Sequence, residues 1–206
     1  MNAARPSSLA DRLLCWLLLT AVCCWMVRAH WEEVDLPWKF QKVQLHEQAL
    51  ANEAPDPYQY KLWTISHALE WAHETSGESL PNVLYANTLL SLVLLMLAHH
   101  FWLRTWVGTR TALVGGLALG ALANVLFLTY AHHPYEFWGV AGFCVLLRGV
   151  ERGWAWWMLA LLCLVTGLVW EKHALVPGLW GLLQLTRGKP FLASLWRGLV
   201  MLAAAL

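Results

Sequence analysis

Long apolar blocks, separated by polar turns, make up most of this chain. The blocks consist mainly of Leu, Val, Ala, Gly and Trp, and one long polar stretch interrupts them near the N-terminus. A helix of about 20 apolar residues crosses the hydrocarbon core of a bilayer. The pattern therefore predicts an all-α protein, a polytopic transmembrane helical bundle with about seven membrane segments.

The first apolar block, residues 9–28, predicts a transmembrane helix. A cleaved signal peptide is the alternative, because arginines precede the block and the small residue Ala29 lies near its end. That cleavage site is poor, since Arg28 and the bulky Met26 surround it. We therefore expect the helix to be retained.

The polar stretch, residues 30–81, contains nine of the thirteen acidic residues and forms a long first outer loop. Two amphipathic helices are predicted in it, over 39–53 and 58–74, because apolar residues recur there at helical spacing. Their apolar faces consist of Phe40, Val43 and Leu50 in the first helix, and of Tyr58, Leu62, Ile65, Leu69 and Ala72 in the second. We expect both helices to lie on the membrane surface, with Glu70 and Glu74 facing water.

Six further membrane segments are predicted within 82–206. They cover residues 82–103, 111–130, 134–147, 154–170, 174–186 and 191–206. Two of them, 134–147 and 174–186, are shorter than an upright span and are either extended by their neighbours or re-entrant. Residues 1–206 are thus expected to form a single membrane domain.

Composition supports a membrane protein. Hydrophobic residues make up 59% of the chain and charged residues 13%, against about 25% charged residues in soluble domains. The fifteen tryptophans also fit, because Trp concentrates at membrane–water interfaces. A net charge of +1 gives no support for nucleic-acid binding.

The distribution of Lys and Arg predicts the orientation. If the segments alternate from a cytoplasmic N-terminus, the cytoplasmic turns contain three basic pairs: Arg104 and Arg110, Arg148 and Arg152, and Arg187 and Lys189. The outer turn at 131–133 has no Lys or Arg, and the turn at 171–173 has only Lys172. Such an excess of positive charge marks cytoplasmic loops.

Three polar clusters then lie on the outer face. They are Glu32, Glu33 and Asp35; His132, His133 and Glu136; and Glu171, Lys172 and His173. Any one cluster alone is explained equally well by the polar ends of membrane helices. Because the loops of one bundle end near each other, the three clusters can also share a pocket.

The arrangement resembles the GT-C class of membrane glycosyltransferases. In "HWEEVDLPWKF" (30–40) an acidic motif follows the first helix at once, and "DPYQYKLWTISHAL" (56–69) is similar to a Pro-Tyr-Gln-Tyr-Arg-Leu stretch of bacterial relatives of that class. "AHHPYEFWGVAGFCVLLRGVERG" and "LVTGLVWEKHALVPGLWGLL" resemble its later helix and turn pattern. The resemblance implies that the chain is a member of the class or the N-terminal portion of one.

The resemblance implies an inverting transfer of a sugar from a polyprenyl-phosphate carrier to an acceptor on the outer face of a bacterial inner membrane. The expected partners are the lipid bilayer and the lipid-linked sugar donor. Asp35 is the first choice for the general base, followed by Glu33 and Glu32, because a carboxylate near the headgroups can take the proton of a hydroxyl acceptor.

The leaving group of that reaction is a lipid phosphate, which requires cations on the same face. Lys172 is the best candidate, and a lysine that only anchors a helix end is its alternative. The other candidates for substrate binding are His132, His133, Glu171, Lys61 and Tyr60, with Arg28 as a weaker choice. The histidine pair could bind phosphate, hydroxyl groups or a metal.

No metal site is predicted, although a divalent cation stays open as a cofactor. His67, Glu70 and His73 share one sector of a helix, but their i, i+3 and i+6 spacing is too long for one zinc ion, which prefers histidines at i and i+4. The alternative function is a non-enzymatic membrane protein, either a transporter subunit or an assembly partner.

The orientation generates a labelling prediction. Leu50→Cys and Gly108→Cys are each introduced into a background that lacks the native cysteines. We expect a membrane-impermeant maleimide, added outside cells, to label position 50 and to leave position 108 unlabelled, because position 108 lies in a basic turn. The reverse labelling would contradict the orientation and the location of the outer-face site.

Overall fold

The computed structural model describes the backbone of residues 8–33, 36–55, 58–130, 134–168, 173 and 175–205. These ranges contain helices and no strand, so the all-α prediction is confirmed for them. The helices are α1 (Leu9–Glu33), α2 (Leu36–Leu50), α3 (Tyr58–Ser76), α4 (Leu80–Leu103), α5 (Thr109–Tyr130), α6 (Pro134–Arg152), α7 (Trp156–Gly167), α8 (Leu175–Thr186) and α9 (Phe191–Ala205).

Two of the described helices are long and apolar enough to cross a membrane. They cover Leu9–Glu32 in α1 and Leu80–Leu103 in α4, each with 24 residues and a mean hydropathy of 1.7. The apolar helices α7 and α8 have 12 residues each, fewer than the roughly 20 that span a bilayer upright. A count of seven spans therefore stays a prediction.

The first hydrophobic core joins α1, α4, α5 and α6. Its buried members include Leu19, Cys23, Met26, Val27, Leu92, Leu95, Met96, Ala123, Phe137 and Ala141. Small residues bring the helices close together, as at Gly120, where a Cβ would lie 3.0 Å from the sulfur of Met96. Trp138 of α6 also donates a hydrogen bond to the Asn87 side chain of α4 over 3.0 Å.

The second core joins α6 to the last three helices. It is formed by Leu146, Val150, Leu159, Cys163, Val176, Trp180 and Met201. The turn between α6 and α7 is tight, because Gly153 takes a left-handed conformation (φ 70°) and Trp154 donates to the carbonyl of Gly149 over 2.9 Å. Since α6 contributes to both cores, it ties the two groups of helices together.

The surface of the bundle is strongly apolar. Large hydrophobic side chains such as Leu17 (67% exposed) and Trp25 (69%) on α1 and Leu192 (77%) on α9 point away from the cores. Monomeric soluble proteins rarely expose contiguous apolar surface on this scale. The exposed faces and the two long apolar helices therefore support membrane association.

The face of α2 that packs against the protein is largely polar. Phe40 is 70% exposed, whereas Lys42, His46 and Ala49 are buried. The apolar pattern identified the side of the helix that points outward, because the inner side is occupied by polar side chains with partners on neighbouring helices.

The faces of α3 follow the prediction only in part. Ile65 and Leu69 are half-buried and Glu74 is exposed, as expected. Glu70 does not face water freely, since it pairs with His46 of α2. Leu62 is also on the predicted apolar face, but its side chain lies outside the described set.

Contact between α6 and α7 predicts a cost for any side chain at Gly149. A Cβ there would lie 2.6 Å from the ring of Trp154 and 2.8 Å from Leu159. We expect Gly149→Ala to lower the free energy of unfolding in detergent micelles by about 1–3 kcal/mol, the usual cost of overpacking a core.

Gly181→Ala is the matched control, because a Cβ at Gly181 meets no atom within 4 Å. Because alanine favours a helix more than glycine does, Gly181→Ala should leave the free energy of unfolding unchanged or slightly raised. Equal unfolding midpoints for the two variants would show that α7 does not pack on Gly149 as described.

Candidate functional site

A groove opens where the end of α1 meets the start of α4. It is lined by Arg28, Trp31 and Glu32 from α1 and by Asn82 and Tyr85 from α4, with a cavity volume of about 350 Å³. The rings of Trp31 and Tyr85 meet edge to face, with their centroids 5.2 Å apart. The groove thus combines two aromatic rings with a cation, a carboxylate and an amide.

Arg28 and Glu32 form an ion pair within the groove. The Nε atom of Arg28 lies 2.9 Å from Oε1 of Glu32, one helical turn away. The two side chains are 71% and 58% exposed, so water screens their attraction and the pair contributes little to stability. Both groups are therefore accessible to a ligand that enters the groove.

A second cation lies behind the aromatic wall of the groove. Lys42 of α2 is 6% exposed, and its Nζ atom lies 5.1 Å from the centroid of the Trp31 ring. This cation–π contact offsets only part of the free energy that the ammonium group loses when it is removed from water. Burial accordingly lowers the pKa of Lys42 to about 8.

A polar bridge joins α2 and α3. The Nε2 atom of His46 on α2 lies 3.0 Å from Oε2 of Glu70 on α3. His46 is 3% exposed and Glu70 is 34% exposed, so the bridge is largely removed from water. It fixes α2 against α3 on the same face of α2 that carries Lys42, which keeps this cation pointed inward.

Besides the weaker candidate Arg28, Glu32 is the only predicted site residue whose side chain the described ranges include. It lines the groove, but it accepts a hydrogen bond from Arg28. Glu33 ends α1, and Tyr60 and Lys61 lie in the first turn of α3, with their side chains outside the described set. Asp35, His132, His133, Glu171 and Lys172 lie outside the described residues altogether.

His173, next to the predicted cation Lys172, packs inside the bundle. It is fully buried, with Nε2 2.9 Å from the carbonyl oxygen of Gly139 and its ring stacked on Phe143. This contact brings the chain after α7 against the first half of α6.

Lys42 and His46 were not predicted as site residues. Their spacing of four places them on one helical face, and Ala49 continues that face. The available signal was this polar stripe on an amphipathic helix, which by itself does not show what the stripe packs against.

The three candidate metal ligands of α3 have separate partners. His67 packs against the ring of Trp63 with centroids 4.5 Å apart, Glu70 contacts His46, and His73 contacts the carbonyl oxygen of Glu78. Within the described part of the chain, no three His, Cys, Asp or Glu side chains are grouped to hold a metal ion.

Polar contacts at the opposite end of α4 have a structural role. Glu151 of α6 accepts hydrogen bonds from Thr105 Oγ1 (2.7 Å) and Trp102 Nε1 (3.3 Å). Arg148 donates to the carbonyl oxygen of Phe101 and lies over its ring. These contacts satisfy the end of α4 and attach it to the end of α6.

Comparison of the chain with protein-family models, with curated proteins and with solved structures gives no match. The functional argument therefore depends on the chemistry of the groove and of the loops around it.

The depressed pKa of Lys42 predicts how stability depends on pH. An unfolded lysine has a pKa of 10.5 and the folded one about 8, so unfolding takes up a proton between these values and stability rises with pH across that window. Below pH 8 the full cost of the buried charge is present. We expect Lys42→Met to stabilise the protein at pH 7 by on the order of 3 kcal/mol.

That difference from the wild type should decrease as the pH rises from 8 to 10.5, when measured from unfolding curves at several pH values. Lys189→Met, at an exposed position, is the control and should show no comparable gain. A stability gain that is independent of pH would mean that packing, rather than the buried charge, explains the effect.

Proposed function

We propose that this protein is a membrane glycosyltransferase that moves a sugar from a polyprenyl-phosphate carrier to a hydroxyl acceptor at the outer membrane surface. The observation that carries the proposal is the groove at the end of α1, where Arg28, Glu32 and two aromatic rings meet. Pockets for small ligands combine apolar and aromatic walls with a few polar groups in this way.

The positive charges of the site suit the phosphate of a lipid-linked donor. Arg28 is exposed in the groove, and Lys42 lies behind the Trp31 ring that forms one wall. The lipid tail holds the donor phosphate at headgroup level, which is where the end of a membrane helix such as α1 lies. Cations there stabilise the negative charge that develops on the leaving phosphate.

Asp35 remains the proposed general base, with Glu33 next. Glu32 is the weaker choice, because Arg28 already occupies one of its carboxylate oxygens. In the proposed step the acceptor oxygen attacks the anomeric carbon, and the carboxylate takes the proton of the hydroxyl group. The bond between the anomeric carbon and the phosphate oxygen breaks, so polyprenyl phosphate leaves and the configuration inverts.

The remaining predicted residues keep their proposed roles around the same face. Lys172, His132, His133 and Glu171 would approach the donor from the later outer turns. Tyr60 and Lys61 would approach from the start of α3, whose bridge to α2 runs through Glu70 and His46.

Exposed aromatic residues on the outer-loop helices support their placement at the membrane surface. Phe40 on α2 is 70% exposed, and Trp63 and Trp71 on α3 are 49% and 66% exposed. Aromatic side chains are favoured at the membrane–water interface. In this placement α2 and α3 would cover the groove with their polar sides inward.

The opposite end of the bundle supports a cytoplasmic N-terminus. Arg104, at the end of α4, interacts electrostatically with Arg12 of α1 and Arg152 of α6. The start of α1 and the ends of α4 and α6 thus meet at one basic end of the bundle. Positive charge concentrates on the cytoplasmic side of membrane proteins. The groove at Arg28 would then face outward.

A transfer assay tests the proposed function. Membranes that contain the protein are supplied with a panel of radiolabelled polyprenyl-phosphate hexoses and pentoses, and transfer to cell-envelope acceptors is measured. We expect Asp35→Asn to lower the rate by about 10²–10⁴-fold, the usual contribution of a positioned base, because asparagine keeps the shape and loses the proton acceptor.

Glu53→Gln is the matched control, since Glu53 is an exposed acid of the same loop, and it should leave the rate unchanged. Lys42→Met should raise KM for the donor more than it changes kcat. Activity that survives in Asp35→Asn but not in Glu33→Gln would move the base to Glu33. If the variants of Asp35, Glu33 and Glu32 were all fully active, the protein would not be an enzyme of this type.

A further inference from the structure

A second groove lies between α8 and α9, in a part of the bundle that the proposed transfer does not use. It has a cavity volume of about 420 Å³, and its walls include Gly178, Gly181 and Leu185 from α8 and Phe191, Leu195 and Gly198 from α9. A Cβ at Gly178 or Gly181 would meet no atom within 4 Å. The glycines therefore form an open trough rather than a close helix contact.

The walls of the trough are apolar except at Ser194, and one end of the trough lies at a basic turn. Arg187 and Lys189 are exposed in the turn that joins the two helices. The turn is held by the left-handed conformation of Gly188 (φ 70°) and by a hydrogen bond from Lys189 N to the carbonyl of Gln184 (3.0 Å). Leu185 and Phe191, which flank this turn, both line the trough. Two positive charges thus lie at one end of a long apolar surface.

We propose that this trough binds one acyl chain of an anionic phospholipid, whose phosphate lies between Arg187 and Lys189. The inference depends on the membrane location of the protein and not on its transfer activity. An acyl chain matches the apolar walls, and the phosphate neutralises the basic turn. Each Lys or Arg near an anionic membrane surface contributes favourably to such binding.

A second copy of the chain fits the trough less well. A copy inserted in the same membrane with the same orientation would bring its own Arg187 and Lys189 to the same depth. The like charges would then repel each other.

Native mass spectrometry of the purified full-length chain tests the proposal. The protein, in mild detergent, is mixed with phosphatidylglycerol or phosphatidylcholine of identical acyl chains, and the bound lipids are counted. We expect Gly181→Leu to remove one bound phosphatidylglycerol, because the new side chain fills the trough. The double variant Arg187→Gln/Lys189→Gln should lower the affinity of that one phosphatidylglycerol by on the order of tenfold without lowering binding of phosphatidylcholine.

Ala121→Leu is the control, since Ala121 is exposed on the distant helix α5, and it should leave the lipid count unchanged. Gly178→Leu fills the trough one helical turn away and should also remove one bound phosphatidylglycerol. With two such variants, misfolding of one of them does not decide the result. An unchanged phosphatidylglycerol count in both leucine variants would overturn the proposal. A dimer in the wild type that both variants convert to monomers, with the lipid count unchanged, would assign the trough to a second copy instead.

Discussion

The position of α4 between α1, α5 and α6 is the packing arrangement on which both polar ends of the bundle depend. Met96 and Leu92 are buried in the middle of α4, where Gly120 of α5 allows close approach. At one end of α4, Tyr85 meets Trp31 and forms the wall of the groove. At the other end, Trp102 and Thr105 bind Glu151. Loss of the central packing would therefore separate the groups of both ends together.

The polar inner face of α2 is costly for folding, and the proposed binding of an anionic donor would offset that cost. Burying Lys42 destabilises its charged form, as the lowered pKa records. Buried, perturbed ionisable groups cluster at functional sites, although structural networks also produce them. In this protein the cation lies against the aromatic wall of an open groove, where an anionic ligand would restore the charge balance. This position gives the cost a functional explanation.

Sequence periodicity predicted the helices and most of their approximate bounds. Runs of apolar residues between polar turns can be recognised without knowing which other helices they contact. It did not reveal the contacts on the inner face of α2. Phe40 and Val43 indicated the apolar face expected at the membrane surface, but not that the polar face of the helix is buried against its neighbours. The deciding contacts, from Lys42 to Trp31 and from His46 to Glu70, join separate helices, so no local pattern contained them.

Glu32, one of the three candidate bases, already has a partner in the groove. Its pairing with Arg28 follows from their four-residue spacing on a helix, which is visible in the sequence. An exposed pair of this kind is worth about 0–1 kcal/mol, whereas charge-assisted hydrogen bonds from arginine to phosphate are strong and often bidentate. A phosphate entering the groove would therefore compete well for Arg28. In the proposed transfer, Glu32 would then orient Arg28 before the donor binds, and Asp35 or Glu33 would accept the proton.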